Sequence, residues 1–197
     1  MKKILQILLV FIFLSFNQAD ALNVQNILEQ SPIITIKTDS AGAFESVMAI
    51  AFINAPFDLV WDTILDVGNY KNYMDRVVKV SVISKDEAKG ELVASFEIEV
   101  PINNTEYTLK NLYNKDEKVI NVYQIKGDLA GSNWQWRFES KGNTTIVYYT
   151  AQMMNFSYLL QKFEDENKTI SMGINISSAL ETIKLIKQRA EYLFQMK

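Results

Sequence analysis

SMGINISSALETIKLIKQRAEYLFQMK, residues 171–197, is the stretch that decides the fold. Met172, Ile176, Ala179, Ile183, Ile186, Ala190 and Leu193 recur at alternating spacings of four and three, which places them in one stripe along an α-helix. At 1.5 Å per residue that stripe is about 32 Å long. Lys184, Lys187 and Arg189 fall in its later half, where the helix dipole favours cations. A long helix with one narrow apolar stripe cannot bury that stripe alone. It needs a dry surface to lie on.

The preceding sequence supplies one. Strand-like runs occupy 33–38, 43–53, 77–84, 90–100, 105–114, 118–126, 133–139 and 144–156, separated by turn residues such as Lys85-Asp86-Glu87, Lys115-Asp116-Glu117 and Gly142-Asn143. Leu92, Ala94, Phe96, Ile98 and Val100 alternate with Val93, Ser95, Glu97 and Glu99; Trp134, Trp136 and Phe138 alternate with Gln135, Arg137 and Glu139. Such alternation predicts an antiparallel sheet with one wet and one dry face. Between the second and third runs, residues 54–75 change period. Phe57, Val60, Ile64 and Val67 recur at helical spacing, with Asn54 as the expected cap and Asp58 in the first turn. Gly68-Asn69 ends that helix, and Tyr70 to Met74 form a second short one. The expected fold class is α+β: a curved antiparallel sheet gripping the long C-terminal helix, with two short helices after the first long strand.

The N-terminus reads as a signal peptide over residues 1–21. Lys2 and Lys3 precede an apolar run from Ile4 to Phe16, and Ala19-Asp20-Ala21 offers a cleavage site. That run spans about 20 Å as a helix, short of a hydrocarbon core of about 30 Å. The expected products are a mature chain from Leu22, an N-terminal segment at 22–32 and one domain at 33–197. The expected location is the periplasm or the exterior of a bacterial cell.

Composition narrows the chemistry. The chain has no cysteine and no histidine, so it has no disulfide, thiol nucleophile or zinc-thiolate site, and it lacks the commonest general base near neutral pH. With 20 basic and 23 acidic residues and no basic stripe, nucleic acid is not an expected partner. Asp58, Asp62 and Asp66 share one helix face and read as a solvated surface, not a metal site. Glu97, Glu99 and Arg137 likewise read as surface charge. The Asn-x-Ser/Thr triplets at Asn103, Asn143, Asn155, Asn167 and Asn175 reflect an Asn-rich composition.

Taken together, the order of elements resembles the helix-grip (SRPBCC) superfamily, which includes START lipid-transfer domains, coenzyme-Q-binding proteins, polyketide cyclases and the birch-pollen allergens. FINAPFDLVWDTILDVGNYKNYMDRVVKVSVIS (52–84) is similar to the superfamily's opening, in which a strand ends at Ala-Pro before a Val-Trp helix. IKGDLAGSNWQWRFESKGNTTIVYYT (125–150) is similar to its later signature: a Gly-containing loop, an aromatic strand, a Gly-Asn turn and Thr-x-Val-x-Tyr. The additional strand at 33–38 resembles START-type members. VPINNTEYTL (100–109) departs from the pattern, lacking Pro-Trp-Pro and the charged triplet of many members, and the ligand is left unnamed.

The resemblance implies a START-like domain with an apolar tunnel between sheet and C-terminal helix. Its expected lining is Phe96, Ile98, Tyr107, Leu109, Tyr123, Trp136, Phe138 and Tyr149 from the sheet, with Ile176, Ala179 and Ile183 from the helix. Tyr70 and Tyr73 stand where the tunnel mouth would be, as a gate or as a packed cover. The function this implies is binding or transfer of a lipid or other hydrophobic small molecule, with transient membrane contact as a corollary. No catalytic residue, metal ligand or cofactor is assigned. Two alternatives stay open: a cyclase or dehydratase acting on an apolar substrate, and a filled-core domain. A cavity below about 300 Å³ would favour the latter.

Overall fold

The computed structural model describes residues 27, 29–42, 44–99, 104–127, 131–152 and 168–196. The signal segment, the start at Leu22, the ends of the runs at 100 and 153–156, and the triplets at Asn103, Asn155 and Asn167 lie outside them. In chain order the elements are β1 (Ile33–Thr38), β2 (Phe44–Ile53), α1 (Phe57–Leu65), a 3₁₀ helix (Val67–Asn72), β3 (Val77–Asp86), β4 (Glu91–Ile98), β5 (Thr105–Asn114), β6 (Val119–Lys126), β7 (Asn133–Lys141), β8 (Thr144–Gln152) and α2 (Lys168–Gln195). The eight strands form one sheet in the order β1-β2-β8-β7-β6-β5-β4-β3. Every adjacent pair is antiparallel. This is the helix-grip architecture expected from the sequence. No helix among the described residues is long and apolar enough to cross a membrane.

The dry face alternates as period two requires. Val47, Ala49, Ala51 and Ile53 of β2 are fully buried, as are Ile183, Ile186 and Ala190 of α2, and Ala179 nearly so. These residues join one core with Val60, Trp61 and Ile64 of α1 and with Phe138 and Val147. The stripe read from spacing is thus the surface that α2 lays on β2 and α1. Two polar ties fasten it. The Lys187 ammonium donates to the Phe52 carbonyl, and the Asn54 N–H donates to Glu191 Oε1 at 2.9 Å. Asn175 is fully buried on the same helix, so its triplet is no glycan acceptor in the folded chain.

Asn54 does not cap α1. Pro56 occupies the N-cap position in extended backbone, and no side chain caps the helix. Proline's fixed φ suits the turn into the helix, and its missing N–H costs nothing there. Gly90 shows the strictest local demand. Its φ is +62°, and an added Cβ would lie 2.1 Å from the Tyr113 carbonyl oxygen. Only glycine lets the β3–β4 turn approach β5 this closely.

A second cluster, Val67, Leu92, Ala94 and Phe96, fills the dry face toward β3. Between it and the core beneath α2 the face is not filled.

A cavity between the sheet and the C-terminal helix

That gap is a cavity of about 270 Å³. Its floor is the dry face of the sheet: Phe96 and Ile98 of β4, Tyr107, Leu109 and Asn111 of β5, Val122 and Gln124 of β6, Trp134 and Trp136 of β7, and Tyr149 of β8. Ile64, Val67, Tyr70 and Met74 wall one side, and Ser178, Glu181, Thr182 and Leu185 of α2 wall another. The charged side chains Asp75, Arg76, Glu99 and Glu181 stand at its open end, where Arg76 Nε lies 3.8 Å from Glu181 Oε1.

The aromatic walls are fixed by contacts among themselves. Trp136 and Tyr149 lie 4.3 Å apart between ring centroids, and Phe96 stacks on Tyr107 at 5.3 Å. Tyr70 leans on Phe96 and donates its hydroxyl to the Ile64 carbonyl at 2.6 Å; Tyr73 donates to the Thr63 carbonyl at 3.3 Å. These carbonyls belong to the last turn of α1, which has no intrahelical donors for them. The two tyrosines therefore cap α1; Tyr70 also lines the cavity as a packed wall, whereas Tyr73 lies outside the lining.

Burial holds the hydroxyls of Tyr70, Tyr107 and Tyr149 well above the usual tyrosine range, with a Thr182 hydrogen bond partly opposing this at Tyr149. At neutral pH they are uncharged hydrogen-bonding groups and cannot serve as bases. Among the described residues no group of carboxylates is placed to hold a metal ion, and Asp58 pairs with Lys115 at 2.7 Å.

The least exposed polar residue of the cavity lining is Gln124. It is 3% exposed, and among the described residues neither Nε2 nor Oε1 has a hydrogen-bond partner. Nearby Asn111 donates from Nδ2 to the Leu92 carbonyl at 3.3 Å. By volume alone the cavity falls just under the usual floor of about 300 Å³ for ligand sites, which leans toward a filled core. The wall weighs the other way. Close-packed interiors rarely leave both polar atoms of a buried amide unpaired.

Of the residues expected in the lining, Phe96, Ile98, Tyr107, Leu109, Trp136 and Tyr149 lie there. Tyr123 does not: it is 42% exposed, because Ile120 and Val122 set the inward phase of β6 and turn Tyr123 out. Phe138 faces inward but packs under α1, against Phe57 at 5.6 Å and Trp61 at 5.5 Å. Ile176, Ala179 and Ile183 belong to the core face of α2. The helix lies over β2, so its neighbouring face, carrying Ser178, Thr182 and Leu185, looks into the cavity. Gln124 is absent from the expected lining, although its parity with Ile120 and Val122 was a signal for it.

Solved structures share this architecture. A protein of Thermus thermophilus superposes with a TM-score of 0.61 at 16% identity, covering 74% of this chain and 96% of its own. The Zhui aromatase/cyclase of a Streptomyces species gives 0.56 at 16% identity, covering 74% and 93%. A STAR-related lipid transfer protein of Xanthomonas axonopodis gives 0.56 at 11% identity, covering 80% and 98%. At these identities the likeness speaks for the fold alone. No curated protein sequence matches the chain. The family model described as polyketide cyclase / dehydrase and lipid transport matches residues 53–164, from the end of β2 past β8. That is more than half of the 197 residues, and it takes in α1, the 3₁₀ cover and every strand that floors the cavity. The chain belongs to the polyketide cyclase / dehydrase and lipid transport family.

Proposed function

We propose that the protein binds a small apolar molecule in this cavity and carries it outside the cytoplasm. The observation that bears most weight is the cavity itself, walled by aromatic and aliphatic side chains and left open beside a helix that already has its own core. The volume limits the guest. A ring system or one short chain matches this volume, and any larger part of a guest would have to remain in the mouth.

Binding is favoured over acid–base catalysis by where the ionisable groups stand. The polar groups facing the interior are tyrosine, serine and threonine hydroxyls and carboxamides, and the carboxylates stand at the open end. Export rests on the signal-like N-terminus, and transient membrane contact would serve loading. Native mass spectrometry of protein taken from the compartment it is secreted to reads both parts. The expected species begins at Leu22 and carries a co-purified small molecule. An intact Met1 overturns export; a bare protein from every preparation counts against carriage.

A further inference from the structure

Gln124 is the feature that binding of a purely apolar guest does not account for. It lies on β6 between Leu109 of β5 and the β7 end of the cavity, and its backbone is already paired: the N–H donates to the Ser132 carbonyl and the carbonyl accepts from the Gly131 N–H. Its side chain is 3% exposed, lines the cavity and leaves donor and acceptor both unmatched among the described residues. A leucine there would fill the same space without burying an unpaired amide, whose desolvation is unfavourable. A carboxamide offers its donor and acceptor side by side in one plane. The complement is a molecule with an acceptor beside a donor on one edge: a lactam, a primary amide or a neutral carboxylic acid. Among the lining residues, Asp75, Glu99 and Glu181 face one cation, Arg76, which disfavours an anionic guest.

Building on the binding proposed above, we infer that the cavity selects neutral, largely apolar molecules bearing such a donor–acceptor edge, with Gln124 as the group that reads it. A bicyclic lactam matches the cavity in size, its fused carbocycle lying among Phe96, Tyr107, Trp136 and Tyr149.

Calorimetric titration with a matched set tests this: 2-quinolone, N-methyl-2-quinolone (which lacks the donor) and naphthalene (which lacks the edge). The wild type is expected to bind 2-quinolone about ten- to a hundredfold more tightly than its N-methyl derivative, the range that leaving buried amide atoms unmatched implies. In Gln124→Leu that preference should vanish while naphthalene binds at least as well as to the wild type. The variant should also melt no lower than the wild type, since it loses an unmatched amide. Equal binding of both quinolones, as when water already satisfies Gln124, overturns the inference but leaves apolar binding standing. A preference that persists in Gln124→Leu, or a clear fall in melting temperature, overturns it too, because the edge is then read elsewhere or the amide has a protein partner. Failure of all three compounds to bind either protein removes the binding proposal itself.

Discussion

Truncation at Gly173 should leave no soluble folded protein. The deletion takes away Ala179, Ile183, Ile186 and Ala190, whose side chains cover Val47, Ala49, Ala51 and Ile53 of β2 together with Val60 and Ile64 of α1. Burial of each isoleucine contributes about 1.5–3 kcal/mol, and the exposed sheet residues lose comparable amounts. The total approaches the roughly 5–15 kcal/mol by which a whole domain is stable. The ties from Lys187 to Phe52 and from Asn54 to Glu191 go as well. Size-exclusion chromatography and a thermal melt provide the check. A monomeric truncated chain that melts as sharply as the parent would mean that something other than α2 covers the sheet.

A tryptophan at Ala179 and a tryptophan at Val122 should have opposite consequences. Ala179 is 1% exposed on the face of α2 that meets β2 and α1, so a large ring there has nowhere to go. Overpacking should cost about 1–3 kcal/mol or more. For a chain of this length each kcal/mol is about 2–4 °C in Tm, so the drop should be readily seen. Val122 is also buried, but its side chain borders the cavity on the same strand face as Gln124. An indole there can extend into the open 270 Å³, so Tm should stay near that of the parent while the space for a guest is lost. Differential scanning calorimetry of the two variants side by side checks this. Equal large losses would mean that the cavity does not tolerate a ring and is in effect packed.

These two sites also show how far the sequence can be read. The four-three spacing in 171–197 defines a helix and its dry stripe because that stripe has one demand, burial, and a helix meets it at one period. The strands β1, β5 and β8 begin where turn residues and alternation place them, and β1 and β5 also end there, since period two is equally strict. The cavity follows a weaker rule. In β6 both faces of VINVYQIK carry apolar residues, so composition favours Tyr123 while the phase set by Ile120 and Val122 selects Gln124. A polar residue inside is legible only once its neighbours' direction is known. On α2 the spacing locates the stripe correctly but does not say whether it faces a core or a tunnel. Only the placement of the helix over β2 shows that the adjacent face, with Ser178 and Thr182, is the one left open. Phe138 falls outside the lining for a similar reason. Its inward direction follows from alternation, but the Phe57 and Trp61 rings that occupy that end of the sheet come from α1, far away in sequence.

The central claim is that this interior is open to an apolar guest, and titration with N-phenyl-1-naphthylamine tests it most directly. The probe is neutral, fluoresces strongly only out of water, and would sit beside Trp134 and Trp136, which can transfer excitation to it. The cavity opens at Asp75 and Glu99, so the phenyl ring can remain in the mouth while the naphthalene enters. The expected result is a saturable rise in probe emission on excitation of tryptophan in the wild type, abolished in Val122→Trp. A wild-type protein whose probe signal never saturates, or a Val122→Trp variant that binds as well as its parent, would contradict the account.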